Sequence, residues 1–270
     1  MKEIHGEELK QIQLNILKEI HSFCVDNHLT YFLTGGTLLG AIRHKGFIPW
    51  DDDIDVAMFR EDYEKFIRAF KSESGHVRIY SGLTDKKCKY TFAKAIDTNT
   101  LLIEAGDKSA PIGVFVDVFP IDSVCDDLEL SKKIVKRNQM WKTLYQLRFV
   151  HLNRRRKFIK NLCLACLLPI LKLIPNRFFL KLLDRRFKKF ECNNNSVYVA
   201  NLCGAWGEKE ITLRANFSST VEVEFEGERF FAPVGYDTFL RNLYNDYMQL
   251  PPKEKQVSHH DFVAYSLKQS

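Results

Sequence analysis

The sequence predicts a mixed α/β core that is interrupted by a basic helical insertion, and three observations lead to this prediction. Apolar residues recur at helical spacing near the N-terminus, at Leu9, Ile12 and Ile16. Short apolar strands separated by turn residues follow and return near the C-terminus. The stretch between them has helical character and an excess of Lys and Arg. We therefore expect three segments, which are core residues 1–125, the insertion 126–195 and the core-completing part 196–270.

The elements before residue 126 follow from periodicity and turn residues. Helices are predicted at 7–28, 38–43 and 60–71, and strands at 31–33, 53–58, 77–80, 90–96, 100–104 and 114–119. Gly46 and Pro49 mark a loop before the second strand.

Beyond residue 126, helix is expected from 128 to 189, with breaks at Pro169 and Pro175 because proline cannot continue a helix. A strand at 197–201, a hairpin at 221–225 and 229–232, and a helix at 237–247 complete the predicted core.

Composition excludes several classes of protein. The 21 Phe and 10 Tyr provide enough apolar surface for a sizeable core, so disorder is not expected. No apolar stretch follows a basic start, and no run approaches the roughly 20 apolar residues that span a bilayer, so we expect neither signal peptide nor membrane span. Seven cysteines, an odd number, indicate a reducing cytosol. Cys163 and Cys166 are predicted to be buried thiols, because a second zinc-ligand pair is lacking.

Basic charge is concentrated in the insertion. The segment 148–189 has 13 Lys and Arg and one acid, Asp184, whereas the whole chain carries only +6. This segment has no nucleic-acid recognition motif and is too apolar for a simple phosphate-binding arm, so nucleic acid is not an expected partner.

Four carboxylates lie within five residues where a strand is predicted to begin, at Asp51, Asp52, Asp53 and Asp55. Side chains two residues apart on a strand share a face, about 7 Å from each other, so Asp53 and Asp55 are expected to lie together. Like charges this close raise the cost of ionising both groups. A divalent cation removes that cost, and oxygen ligands suit Mg²⁺. The pattern favours either a metal site or a solvated acidic turn.

Two further features add to this pattern. Gly35-Gly36-Thr37 lies between a predicted strand and helix, where glycines let a phosphate approach the backbone; an ordinary turn capped by Thr37 is the alternative. Asp117 interrupts an apolar strand, where a carboxylate is costly to bury without a partner. It either completes a metal site or lies at an exposed strand end.

The order of these features resembles the nucleotidyltransferase fold, a mixed sheet flanked by helices. Residues 33–44 and 48–55 resemble the LicD family closely, which includes bacterial phosphocholine transferases and is related to fukutin and fukutin-related protein. The resemblance extends to 115–120, to 244–248 with Pro251-Pro252, and to His259-His260. It covers about 1–125 and 225–262. The family usually has Gly at the position of Asn245, and Asn also tolerates a left-handed backbone there.

The resemblance implies a metal-dependent active site. Asp53, Asp55 and Asp117 are expected to hold Mg²⁺, or Mn²⁺ in its place, as one or two ions, and Asp117 to take the acceptor proton. Arg43, Lys45 and Lys94 are expected to neutralise phosphate charge, although Lys94, on the strand face of Tyr90 and Phe92, also fits a solvent contact. The predicted substrate-binding residues are Gly35, Gly36, Thr37, Arg43, Lys45, Trp50, Lys94 and His259.

The resemblance further implies transfer of phosphocholine from CDP-choline to a hydroxyl of a glycan such as teichoic acid, capsule or a lipopolysaccharide precursor. Aromatic rings should hold the quaternary ammonium, and Trp50, Trp141 and Trp206 are the candidates. Transfer of ribitol phosphate or glycerol phosphate is an alternative, as is a catalytically inactive protein that binds a membrane surface.

The insertion itself predicts a membrane contact. Arg154-Arg155-Arg156-Lys157 precedes an apolar run, and the basic residues of 177–189 flank Phe178, Phe179, Leu180, Leu182 and Leu183. Helices of this composition lie in the membrane interface, with basic residues against anionic headgroups. We therefore expect a cytoplasmic protein, peripheral on the inner face of the cell membrane, that acts on a lipid-linked glycan. The alternative is a helical hairpin packed on the core.

Overall fold

A computed structural model describes residues 1–104, 107–149, 168–169, 171–190, 196–257 and 262–267. Within these residues the chain has the mixed α/β architecture that the sequence predicts. Three groups of strands are present, which are a seven-stranded mixed sheet, a four-stranded sheet and a two-stranded hairpin.

The seven-stranded sheet is organised around its longest strand, β8 (Phe115–Ser123). β8 pairs in parallel with β3 along one edge, while its other edge pairs antiparallel first with β5 and then with β9. β2 extends the sheet beyond β3, β4 beyond β5 and β10 beyond β9. These strands are β2 (Phe32–Leu33), β3 (Asp55–Phe59), β4 (Val77–Tyr80), β5 (Ala93–Asp97), β9 (Tyr198–Ala200) and β10 (Thr212–Leu213).

Three helices of the first segment pack on this sheet. α1 (Gly6–Asp26) buries the apolar stripe that its periodicity predicts, α2 (Gly35–His44) follows β2 directly, and α3 (Arg60–Ala69) follows β3. Their buried side chains join those of β2, β3 and β8 in the main hydrophobic core. Ile54 and Val56 are fully buried in this core.

The four-stranded sheet brings the ends of the described chain together. Its strand order is β1-β13-β6-β7, and all its pairs are antiparallel. The strands are β1 (Lys2–Ile4), β6 (Thr100–Glu104), β7 (Asp107–Ile112) and β13 (Phe262–Ser266). Only β6 is predicted from the sequence, because the others lack a clear alternation of apolar and polar residues.

The described part of the insertion packs on the core. α4 (Leu128–Gln146) and α5 (Asn176–Phe187) form a second hydrophobic cluster with residues of β9 and the loop that follows it. α5 turns Phe179, Leu180, Leu183 and Phe187 inward. Phe178 and Leu182 of the same helix point outward. Arg154–Lys157, Cys163 and Cys166 lie outside the described residues.

A hairpin and one helix close the fold. β11 (Thr220–Phe225) and β12 (Glu228–Pro233) form the predicted hairpin, which packs beside α2. α6 (Tyr236–Tyr244) ends three residues earlier than predicted and is followed by Asn245, whose φ is 60°. The asparagine thus adopts the positive φ expected of the glycine that it replaces.

Candidate active site

Three charged residues lie side by side across three strands of the seven-stranded sheet. Asp55 of β3 and Asp117 of β8 are partners in the parallel register, and the Asp117 N–H donates to the Ile54 carbonyl at 2.9 Å. Lys94 of β5 is the partner of Asp117 on its other edge. Residues directly opposite each other on neighbouring strands share a face, so the row reads carboxylate, carboxylate, ammonium.

The Lys94 ammonium pairs with the Asp117 carboxylate. Lys94 Nζ lies 2.5 Å from Asp117 Oδ1, and both side chains are buried. The rings of Tyr90, Phe92 and Phe115 surround the ammonium, with centroids 4.5, 5.3 and 3.4 Å away. Asp117 is therefore not at an exposed strand end, and Lys94 does not reach solvent. Contact of Lys94 with a phosphate stays a prediction.

The acidic cluster precedes β3 instead of forming part of it. β3 begins at Asp55, two residues later than predicted, because a turn in which the Asp51 N–H donates to the Ile48 carbonyl at 2.8 Å delays the extended chain. Gln13 of α1 supports this segment by donating to the Asp52 carbonyl at 2.8 Å. Carboxylate oxygens of Asp51, Asp52 and Asp53 all lie within 4.8 Å of one another. The turn therefore gathers Asp51, Asp52 and Asp53, whereas strand alternation was expected to place Asp53 beside Asp55.

The glycine pair at the start of α2 makes room for carboxylates. Gly35 has φ +55°, and a Cβ there would lie 3.0 Å from Asp55 Oδ2; a Cβ on Gly36 would collide with Asp51 Oδ2. The buried Thr37 hydroxyl accepts a hydrogen bond from the Asp55 N–H at 2.8 Å. Gly35-Gly36-Thr37 thus positions the acids directly, and its predicted contact with the donor diphosphate stays a prediction.

The electrostatics of the cluster favour a bound cation. Burial raises the pKa of Asp55 well above its usual value, and the carboxylates of Asp53, Asp117 and Asp51 raise it further, while Lys94 lowers it. A divalent cation would relieve this repulsion. Closely spaced carboxylate oxygens are the donors that Mg²⁺ and Mn²⁺ accept, so the residues fit such an ion.

A cleft of about 710 Å³ opens over the acids. Among the predicted site residues, Gly36, Arg43, Trp50, Asp53 and Asp55 line it. Lys45 instead follows α2 with φ 62°, and its carbonyl accepts from the Glu226 N–H at 2.9 Å, which ties α2 to the hairpin. His259 lies outside the described residues.

The second wall of the cleft was only partly anticipated. It contains Trp206, Tyr244, Asp246 and Lys255, of which Trp206 was one of three candidate tryptophans. Arg43 joins the two walls, since its Nη1 donates to the carbonyls of Tyr247 at 2.7 Å and Gln249 at 3.4 Å. Trp141 packs instead against the second hydrophobic cluster. In the sequence, this wall was indicated by the resemblance of residues 244–248 to the LicD family.

None of the helices in the described ranges has the length and apolar character needed to cross a membrane.

Comparison with known proteins places this site in a family. Residues 28–176 match the LicD/FKTN/FKRP nucleotidyltransferase domain. Over 99% of its length the chain is 32% identical to lipopolysaccharide cholinephosphotransferase LicD of Haemophilus influenzae, and the match spans 100% of that protein. A stretch covering 33% of the chain is 45% identical to human ribitol 5-phosphate transferase FKRP and spans 16% of that protein. Since the domain match covers more than half of the chain and the Haemophilus relative almost all of it, the chain belongs to the LicD/FKTN/FKRP family.

Proposed function

We propose that this protein transfers phosphocholine from CDP-choline to a hydroxyl of a cell-surface glycan such as a lipopolysaccharide precursor, capsule or teichoic acid. One observation carries the proposal: a cleft lined by carboxylates and aromatic rings opens over Asp55, whose partner on the next strand is Asp117, in a chain similar along nearly its whole length to a lipopolysaccharide cholinephosphotransferase. Phosphoryl transfer depends mainly on positioning and charge neutralisation, which this cleft provides.

The roles of the residues follow from their places. Asp53 and Asp55, with Asp117, would hold Mg²⁺ or Mn²⁺, which would supply positive charge at the transferring phosphoryl group. Arg43 and Lys255 line the same cleft and would neutralise the donor diphosphate. The acceptor oxygen forms a bond to the second phosphorus, the bond from that phosphorus to the CMP oxygen breaks, and the acceptor proton passes to Asp117. CMP is the leaving group.

A donor panel tests this proposal. CDP-choline, CDP-ribitol, CDP-glycerol and CTP are each incubated with a glycan acceptor, and CMP release and acceptor mass are measured. We expect CDP-choline to give the highest kcat/KM and the acceptor to gain phosphocholine. An acceptor that gains CMP would contradict the proposed bond cleavage.

The same panel separates the alternatives. The match to ribitol 5-phosphate transferase FKRP makes CDP-ribitol the second candidate donor. The acidic residues would serve either donor equally, so the donor panel is needed to distinguish them. Preference for CDP-ribitol would replace phosphocholine by ribitol phosphate in the proposal. Absence of CMP release from every donor would favour an inactive binding protein.

We further propose that the protein is cytoplasmic and acts at the inner face of the cell membrane on a lipid-linked acceptor, with α5 contacting anionic lipid. The outward face of α5 carries Phe178, which is 61% exposed, and Leu182 among the basic residues Lys181 and Arg185. Leu173, 83% exposed, lies just before the helix. Apolar side chains set among basic ones are typical of an interfacial helix.

Sedimentation with liposomes tests the membrane contact. Wild-type protein should sediment with anionic vesicles at low salt and be partly released at high salt. Lys181→Glu with Arg185→Glu should weaken binding by about 30-fold or more, at on the order of 1 kcal/mol for each basic residue lost. Lys136→Glu with Arg137→Glu on α4 is the matched control and should have a smaller effect. Equal loss in both variants, or no binding by the wild type, would contradict a contact through α5.

A further inference from the structure

Two aromatic rings form a corner in the second wall of the cleft. The rings of Trp206 and Tyr244 meet edge to face, with centroids 5.0 Å apart and planes at 79°. Both residues line the cleft that contains Asp53 and Asp55, and Trp206 is 44% exposed. An exposed tryptophan in a concave, acid-lined wall is suited to contact a ligand instead of filling a core.

The Trp206 ring is already in contact with one cation. Lys209 Nζ lies 5.6 Å from its centroid, within the distance at which an ammonium is attracted to the negative face of a ring. Lys209 lines a neighbouring depression and not the cleft. The surface of Trp206 and Tyr244 that faces the cleft is therefore open to a ligand. Indole is the strongest cation-binding ring among the aromatic side chains.

Tyr244 lies within electrostatic reach of the acidic cluster. Burial raises the pKa of its hydroxyl, and the carboxylate of Asp55 raises it further, together with those of Glu210, Asp51 and Asp53. In phosphocholine the quaternary ammonium is joined to the phosphate by only an ethylene group. A site for the ammonium must therefore lie close to the reacting phosphate, and the corner lines the same cleft as Asp53 and Asp55.

Hydrogen bonds from α4 of the insertion fix the loop that carries Trp206. Lys142 of α4 is buried and donates to the carbonyls of Cys203, at 3.0 Å, and Gly204. Gln139 of α4 also donates to the Gly204 carbonyl at 3.4 Å. The Trp206 N–H donates to Glu210 Oε1 at 3.4 Å. A loop fixed at successive carbonyls presents a preformed ring, which reduces the entropic cost of binding.

We propose that Trp206 and Tyr244 form the binding site for the quaternary ammonium of the donor, and that Lys142 positions this site. The inference rests on the proposed function and extends it, because it explains how the cleft selects choline over an uncharged polyol. Ribitol carries no cation and therefore gains no cation–π attraction from the ring faces.

Calorimetric binding of two donors without acceptor tests the site. CDP-choline is compared with its uncharged isostere, the CDP ester of 3,3-dimethylbutanol, which has the same shape without the charge. We expect wild-type protein to bind CDP-choline about tenfold more tightly. Trp206→Leu should remove most of this preference by weakening the binding of CDP-choline more than that of the isostere, whereas Trp206→Phe should retain more of the preference.

Two further variants complete the test. Trp141→Leu makes the same change outside the cleft and should keep the tenfold preference. Lys142→Met should reduce the preference while Mg²⁺ binding, followed by thermal shift, stays unchanged. Equal binding of both donors by the wild type, or an unchanged preference in Trp206→Leu, would overturn the ammonium site. Failure of the proposed function is distinct, because it would appear as absent transfer to acceptor despite measurable donor binding.

Discussion

Replacing Asp55 with asparagine should lower turnover by at least about 10²-fold while the protein stays folded, since loss of one preorganised electrostatic contact to the transition state has effects of this size. Asp55 lies between Asp117 on the neighbouring strand and the acidic turn, so asparagine would remove a central carboxylate without changing its shape. Turnover is measured as CMP release from CDP-choline. Asp53→Asn and Asp117→Asn should act in the same direction.

Thermal unfolding separates this effect from misfolding. Without added metal, Asp55→Asn should unfold at the same temperature as the wild type or higher, because it removes repulsion from neighbouring carboxylates. Mg²⁺ should raise the unfolding temperature of the wild type more than that of the variant. Asp26→Asn, an exposed position near the end of α1, is the matched control and should change neither property. Full activity of Asp55→Asn in EDTA would contradict the proposed metal-dependent chemistry.

The largest loss of stability is expected at a buried ion pair that joins the sheet to α3 and α5. Arg60 Nε and Nη2 donate to the two carboxylate oxygens of Asp122 at 2.6 and 2.8 Å, and Asp122 is 0% exposed. Although burial alone would lower the pKa of Arg60, the Asp122 carboxylate holds it above its usual value. Asp122→Ala leaves the buried guanidinium without this partner, so the free energy of unfolding should fall by about 3–5 kcal/mol in urea.

A double replacement distinguishes loss of the pair from loss of packing. Arg60→Met with Asp122→Leu removes both charges and should be clearly more stable than Asp122→Ala, because an unpaired buried charge costs more than an apolar substitute. Arg60 Nη1 also donates to Asp184 of α5 at 3.2 Å, so Asp122→Ala should increase proteolysis near α5 as well. A double variant as unstable as Asp122→Ala would show that the unpaired guanidinium is not the main cause of the lost stability.

Local sequence patterns predicted the parts of the protein that are determined by residues close together in the chain. The helical spacing of apolar side chains located α1 and α3, because each helix buries one stripe against the sheet. The run of aspartates and the glycine pair located the part of the candidate site where carboxylates approach the backbone closely. The starting residue of β3 was less accurate, since the turn at Ile48–Asp51 competes with strand formation.

Partners that are distant in the chain were decided by the tertiary structure. Asp55 meets Asp117, and Asp117 meets Lys94, through strand register, which periodicity within one segment does not encode. Both a phosphate contact and a solvent contact were compatible with the sequence around Lys94. The pairing of β5 with β8 places the Lys94 ammonium beside the Asp117 carboxylate and among three aromatic rings. A buried charge requires such a partner. The corner of Trp206 and Tyr244 likewise arises from folding, when α4 fixes one loop beside the end of α6.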